Sequence, residues 1–385
     1  MTPKTHPALW SFLFGNLIIG TGIMLPAGLL NVFMADLGLD APTAGLLSFV
    51  GGLVVGIGAP LVAALTSSID RRLLLTTALM LYVIGHIGAA MAPTYALVLV
   101  FRAVTVAGAA VFTPQAAATV GLIVPPDRRG AAIAFIFIGW SLASVLGIPL
   151  GALLGDVIGW RGTYLCMAGL SALGVVGVFL TTPKGLRVAP LRLSSWVQVL
   201  TDWRLLLVLA VTLLVGSGQT AVFIYMTPLL TTIYAASTAQ IALTFLAGGI
   251  FGVLGNIAVA RFATRIGAER GAMGSMILVL LAMGLITVFF GNYWVLLGAV
   301  CLWQIGGFAV NSFQQGRLVA LAPALASATV AMNTSVVYLG QAVGAKTGGH
   351  LVRTAFTPSL PATAMGFVVI AMILSAVAAH NRTTR

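Results

Sequence analysis

The chain has 385 residues, of which 60% are hydrophobic and only 7% are Asp, Glu, Lys or Arg, and its formal net charge is +12. A soluble domain spreads charge over its whole surface. Here the few charges bunch into short breaks between long apolar stretches, so the surface is expected to be mostly lipid-facing.

Apolar runs of about 20 residues bounded by charge, Pro or Asn mark candidate membrane spans. Twelve are predicted, at 9–35, 42–65, 73–92, 95–123, 130–154, 162–182, 205–233, 239–262, 271–290, 294–320, 326–352 and 361–379. Each must be a helix, because a lone strand would leave its backbone groups unpaired in hydrocarbon. The expected fold class is therefore an all-α integral membrane protein.

Orientation follows from the basic residues. One side of the membrane receives the N-terminus, the loops from even to odd spans and the C-terminus. That side holds Lys4, Arg71, Arg72, Arg128, Arg129, Lys184, Arg187, Arg192, Arg204, Arg261, Arg265, Arg270, Arg317, Arg382 and Arg385. The opposite side holds Arg161 and Arg353, while Arg102 and Lys346 fall inside spans. This bias places both termini in the cytoplasm and explains the net charge without a nucleic-acid partner. Met1 to Pro7 lacks a signal-peptide cleavage pattern, so span one is expected to stay in the protein. Cys166 and Cys301 lie within spans and read as packing residues, with no metal-ligand spacing nearby.

The longest polar break, Pro183–Arg204, divides the spans six and six. Its four basic residues with Trp196 and Trp203 suit either a segment lying at the membrane interface or a solvated linker with one amphipathic turn. The expected domains are thus residues 1–182, a linker at 183–204, and residues 205–385. The halves echo each other. ALTSSIDRR (Ala64–Arg72) follows span two and RFATRIGAER (Arg261–Arg270) follows span eight, with Ser67 and Thr264 in matching places. MLPAGLL (Met24–Leu30) in span one is likewise matched by YMTPLLT (Tyr225–Thr231) in span seven. Duplicated halves are a usual architecture of alternating-access transporters, with the substrate site between them.

Glycine ladders repeat every four residues: Gly52/Gly56, Gly147/Gly151/Gly155, Gly248/Gly252 and Gly340/Gly344/Gly348. Each flattens one helix face so that another backbone can come close. Static packing explains any single ladder. Their recurrence in corresponding helices also fits surfaces where the halves meet and slide.

The whole chain resembles the major facilitator superfamily, in its twelve-span drug:proton antiporter group and the sugar-efflux, arabinose-efflux-permease-like branch. The stretches that carry the likeness are GAPLVAALTSSIDRRLLL (Gly58–Leu75), where the signature loop belongs, and FRAVTVAGAA (Phe101–Ala110) in span four. LGIPLGALLGDVIGWR (Leu146–Arg161) is similar to the antiporter motif, with Gly147, Pro149 and Gly151 in its packing positions, and AMNTSVVYLGQAVGA (Ala331–Ala345) is also similar to this branch. The sequence departs from the pattern in places. The signature aspartate is Ser67, its following glycine is Asp70, and Ile23, Met24 and Leu25 precede Pro26 where relatives often carry an acid. The resemblance implies two pseudo-symmetric six-helix halves related by an axis along the membrane normal. It also implies that Asp70, Arg71 and Arg72 belong to a latch on the cytoplasmic side.

An ionised residue at the depth of Arg102 is costly and reads as functional. The resemblance implies that Arg102 faces a central cavity, although an arginine satisfying backbone carbonyls is the structural alternative. Spans one, four, seven and ten line that cavity in the family. The candidate substrate or coupling residues are therefore Arg102, Asn31, Gln219, Tyr225, Gln304, Asn311 and Gln315, with Tyr338 and Gln341 from span eleven; Asn16 and Gln314 share the pattern. Amides and hydroxyls suit sugars and nucleosides, and each of them can instead glue helices together. His86 reads as a hydrogen-bonded packing residue. Lys346 either snorkels outward or pairs with Asp36 or Asp40 as an outer gate, a pair that protonation of the acid would weaken.

No Asp or Glu falls within the predicted spans, which argues against cationic drugs as the main substrate. The four histidines are scattered, so no catalytic cluster suggests an enzyme, and no loop is long enough for a sensor domain. No glycine-rich nucleotide loop is present, so neither ATP nor another cofactor is expected. The sequence thus predicts a monomeric inner-membrane exporter of small neutral or weakly anionic molecules (sugars, nucleosides or drugs), coupled to protons, with membrane lipid as its surroundings. An uncoupled facilitator or uptake carrier is the alternative.

Overall fold

The computed structural model describes residues 6–66, 68–125, 129–187, 193–354 and 357–383; Lys4, Ser67, Asp127, Arg128, Arg192 and Arg385 lie outside them. The described residues form α-helices with no strand. The first six are α1 (Pro7–Gly28), α2 (Leu30–Leu37), α3 (Ala41–Ala44), α4 (Leu46–Leu65), α5 (Arg71–Met91) and α6 (Tyr95–Ile123). Next come α7 (Arg129–Thr181), α8 (Leu193–Thr201), α9 (Trp203–Phe223), α10 (Met226–Thr232) and α11 (Thr238–Ile266). The chain ends with α12 (Ala268–Val288), α13 (Tyr293–Leu321), α14 (Ala326–Arg353) and α15 (Leu360–Thr383). Side-chain caps explain several starts: Asp70 accepts from Leu73 N, Thr94 from Leu97 N, Asp202 from Arg204 N and Asn292 from Trp294 N.

Among the described residues, ten helical stretches are long and apolar enough to cross a membrane. One of them, Phe135–Thr181, has 47 residues. It is interrupted at Gly159, whose φ of 71° is a left-handed conformation that glycine adopts without a Cβ clash. Spans five and six are therefore two helices meeting at this residue. Span eleven, α14, falls outside the ten although it has 28 residues, because Asn333, Gln341, Lys346 and His350 dilute its apolar character. Counting both recovers the twelve predicted spans.

The chain packs as two units, Met1–Leu37 with Ile57–Leu191, and Gly38–Gly56 with Arg192–Arg385. Span two is thus shared, its first part packing with the second unit. In the first unit α1 lies along α7, and α5 packs on α6 and α7. In the second, α9 packs on α14 and α15, and α13 on α11 and α12. Within Pro183–Arg204, α8 docks on the second unit by burying Val199 with Leu205, Leu209 and Leu318.

The glycine ladders show how close these approaches are. Gly147 and Gly151 face Thr21, Met24 and Leu25 of α1 beside buried Pro149, and Gly248 and Gly252 face Gln304 and Phe308 of α13. Gly340, Gly344 and Gly348 face the backbone of α9 from Leu213 to Ala221. These three ladders therefore pack inside their own units, where the absent Cβ lets a neighbouring backbone or side chain come close; they are not sliding surfaces between halves. Gly52 and Gly56 face Tyr338, Leu339 and Ser335 of α14.

A Cβ at Gly344 would lie 2.8 Å from Thr220 Cβ and 2.9 Å from Ala221 N, whereas one at Gly366 in α15 meets nothing within 4 Å. Gly344→Ala is expected to lose about 1–3 kcal/mol by overpacking. Gly366→Ala should be neutral or gain about 0.5–1 kcal/mol from the lower backbone entropy of alanine. Thermal unfolding of the two purified variants checks this; equal shifts would contradict the assigned packing.

Candidate functional site

Span one carries Pro26, which has no N–H, so the Gly22 carbonyl four residues earlier loses its helical donor. The α1 helix ends at Gly28 and α2 begins at Leu30. Arg102 of α6 reaches this weak point. Its Nη1 donates to Gly22 O at 2.8 Å and its Nη2 to Ile23 O at 3.3 Å, with the residue only 5% exposed. The guanidinium thus replaces a backbone donor that proline removed. These bonds are those of the carbonyl-satisfying role, the structural alternative for this residue. Nearby, Tyr82 donates its hydroxyl to Ile19 O at 2.8 Å, and His86 Nδ1 donates to Tyr82 O at 2.8 Å. His86 sits between the rings of Tyr82 and Tyr164, a packing histidine as expected.

Span seven breaks at the matching place. The α9 helix ends at Phe223 and α10 begins at Met226, two residues before Pro228. Tyr225 sits at the break, 1% exposed, and donates its hydroxyl to Ala345 O of α14 at 2.8 Å. Gly45, Gly348 and Gly349 surround its ring, and a Cβ on Gly348 would come within 2.8 Å of it. Its polar atom is thus used in bracing α14.

The other predicted polar residues of the second unit divide in two groups. Gln219 accepts from Trp303 Nε1 at 2.7 Å. Thr212 donates to Asn333 at 2.9 Å, and Asn333 donates to Asn311 at 3.0 Å, linking spans seven, eleven and ten. Gln304 lies against Gly248 of α11. Gln315, Tyr338 and Gln341 are part-buried, as is Asn31 in the first unit. Interhelical hydrogen bonds of this kind average about 0.6 kcal/mol in a membrane, so the bonded set fixes helix positions more than it adds stability. In the first unit Asn16 does the same, donating to Ile136 O and accepting from Thr113.

At the signature loop, Asp70 accepts from Leu73 N and from Gly185 N, while Arg71 N donates to Leu186 O at 2.9 Å. The Arg71 guanidinium donates to Gln115 of α6 and to Thr66 O, and Arg72 lies 4.0 Å above the Phe179 ring. All these partners belong to the first unit. Arg317, counted above with the loop charges, is buried in the second unit and donates to Gln314 and Ser375. Its place inside the predicted span 294–320 was the available signal.

The expected Lys346 pair is not formed. Asp36 accepts from Trp160 Nε1 and Arg161 Nη1, both at 2.7 Å. Asp40 accepts from Thr43 N at 2.9 Å and lies 3.9 Å from Arg353. The reason is local: the turn at Gly159 delivers Trp160 and Arg161 to Asp36, while Asp40 caps α3 beside the end of α14. The Trp160 hydrogen bond, then Arg161, holds the Asp36 carboxyl below its ordinary range, and the Thr43 bonds hold Asp40 down likewise. A depressed carboxylate keeps its stabilising contribution above the unfolded value near 4 and loses it only as pH falls through the folded value. Both acids therefore stay ionised near neutral pH, which removes them as sensors in that range.

The Arg102 bond to the proline gap makes a double-mutant test. Arg102→Ala should cost about 1–3 kcal/mol by stranding buried carbonyls. In a Pro26→Ala background, which restores the N–H for Gly22, the same change should cost clearly less. Melting of the four purified proteins measures the coupling; an equal loss in both backgrounds would contradict it.

Comparison with known proteins agrees with this architecture. The sequence model of the Major Facilitator Superfamily matches residues 12–345. The inner membrane transport protein YdhP of Escherichia coli K12 is 27% identical over 378 residues, covering 97% of each chain. A probable sugar efflux transporter of Helicobacter pylori P12 is 26% identical over 347 residues, covering 89% of this chain and 87% of its own length. A solved structure of a bacterial homologue of the human lysosomal transporter Spinster shares the fold with a TM-score of 0.76 at 15% identity, over 99% of this chain and 98% of that one. The chain belongs to the Major Facilitator Superfamily, as a multi-pass membrane transporter and not an enzyme.

Proposed function

We propose that this transporter is a secondary active exporter of small neutral or weakly anionic organic molecules, working by alternating access with inward proton flow. The observation that carries the substrate class is that the polar groups described on spans seven, ten and eleven include no carboxylate. Gln219, Trp303, Asn311 and Asn333 offer donors and acceptors without a carboxylate. Polar groups of this kind suit hydroxyl-bearing or heterocyclic solutes, and the reading agrees with similarity to a chain named as a probable sugar efflux transporter. The matching helix breaks at Leu29 and Ile224–Tyr225 support alternating access, since discontinuous helices are where transporters of this kind bend around a site. The distribution of basic residues supports an inner-membrane placement with both termini in the cytoplasm and 183–204 joining two six-helix halves there. Because Asp36 and Asp40 stay ionised, the transported proton needs a different carrier.

Purified protein in liposomes, loaded in turn with arabinose, uridine, chloramphenicol and tetraphenylphosphonium, tests this reading. Export of one or more of the three uncharged solutes should rise several-fold under an imposed pH gradient, with the cation moved least. Preferential movement of the cation would overturn the substrate class, and indifference to the gradient would overturn proton coupling in favour of a facilitator.

A further inference from the structure

We propose that the second unit carries a binding site for an amphipathic anion in a cleft between the end of α14 and the segment Pro42–Phe49. Three basic residues, Lys346, His350 and Arg353, are spaced four and three along α14. That spacing puts them on one helical face, over a length of about 10 Å. They line a cleft of about 230 Å³ whose other wall is apolar, formed by Pro42, Leu46 and Phe49. One side therefore offers cationic donors and the other a surface for hydrocarbon or an aromatic ring.

The charge is poorly balanced. Asp40 is the acid that approaches this face, and its carboxylate is already engaged by Thr43 N at 2.9 Å. Its contact with Arg353 is loose, 3.9 Å from Nε, with side chains 64% and 54% exposed. Exposed pairs of this length contribute little, so most of the Arg353 donor capacity remains open. Lys346 makes no hydrogen bond or ion pair with any described residue, although it lies seven residues inside the end of the span. Its ammonium is exposed on the cleft wall, where it can meet an anionic partner. Arg353 presents a planar fork that matches a carboxylate or phosphate, and Lys346 adds a mobile point charge.

The cleft volume fits a headgroup or a small acid with its first few carbons, with the remainder lying along Phe49. Two sources have that chemistry: a soluble organic acid with an apolar body, and an acidic phospholipid of the surrounding leaflet. The site is separate from the polar set on spans seven, ten and eleven, and it does not rest on the transport reading, because binding is measured without transport.

The purified full chain in detergent is titrated with octanoate by calorimetry, and separately with dioleoylphosphatidylglycerol by native mass spectrometry. Octanol and dioleoylphosphatidylcholine serve as uncharged and zwitterionic controls. The site predicts that at least one anion binds while both controls do not. Lys346→Gln and Arg353→Gln should each weaken binding about tenfold, and Lys346→Arg should retain it. Phe49→Ala should weaken the bound anion through its apolar part. Binding of octanoate identifies a soluble acid as the ligand class, and binding of the phospholipid alone identifies the lipid. All three substituted side chains line an open cleft, and matching elution profiles confirm folding. If neither anion binds, or if both Gln variants bind as the parent does, the proposal fails.

Discussion

In hydrocarbon a backbone carbonyl without a donor has no water to turn to, and that constraint shapes this chain more than any other. Continuous helix satisfies most of the backbone. Where the helix is interrupted, something else must supply the missing donors. Span one is interrupted by Pro26, and Arg102 donates to Gly22 and Ile23, the carbonyls just before the gap. A costly buried cation is thereby held in place by the dipoles it satisfies. Tyr225 at the span-seven break fulfils a related role by tying α14 to the bend.

The second organising feature is close backbone approach. Without a hydrophobic drive between helices in lipid, association depends on contact, and glycine permits it. Gly147 and Gly151 seat α1 on α7, while Gly340, Gly344 and Gly348 seat α14 on α9. Span eleven thus has three separate tasks on different faces. It packs on α9 through glycine, meets Gly52 and Gly56 of span two on another, and presents Lys346, His350 and Arg353 at its end. Those tasks explain why it is the least apolar of the long helices.

Fold class was legible because membrane helices leave a coarse signal. Apolar length gave the spans, and the matching Pro26 and Pro228 stretches marked where both halves break. The pairing partners were far less legible. Asp36 looked available to Lys346 because nothing local in the sequence shows that the Gly159 turn carries Trp160 and Arg161 to it. Arg102 drew attention for its depth, yet its target is a carbonyl, and main-chain acceptors leave no mark on residue type. Asn333, which joins Thr212 to Asn311, sat within a quoted motif and still gave no sign of its partners. The division of span two between units was equally hidden, since its composition is uniform along its length.

The central claim, that a side chain supplies the donor proline removed, can be measured directly. The full-length protein in lipid bilayers is labelled with ¹⁵N at arginine and ¹³C at glycine carbonyl carbons, and dipolar recoupling by solid-state NMR reports the Arg102 Nη to Gly22 carbonyl contact. A strong coupling, consistent with the 2.8 Å bond and lost in Arg102→Lys, is the predicted result. No coupling between these two groups in the folded protein would contradict the account.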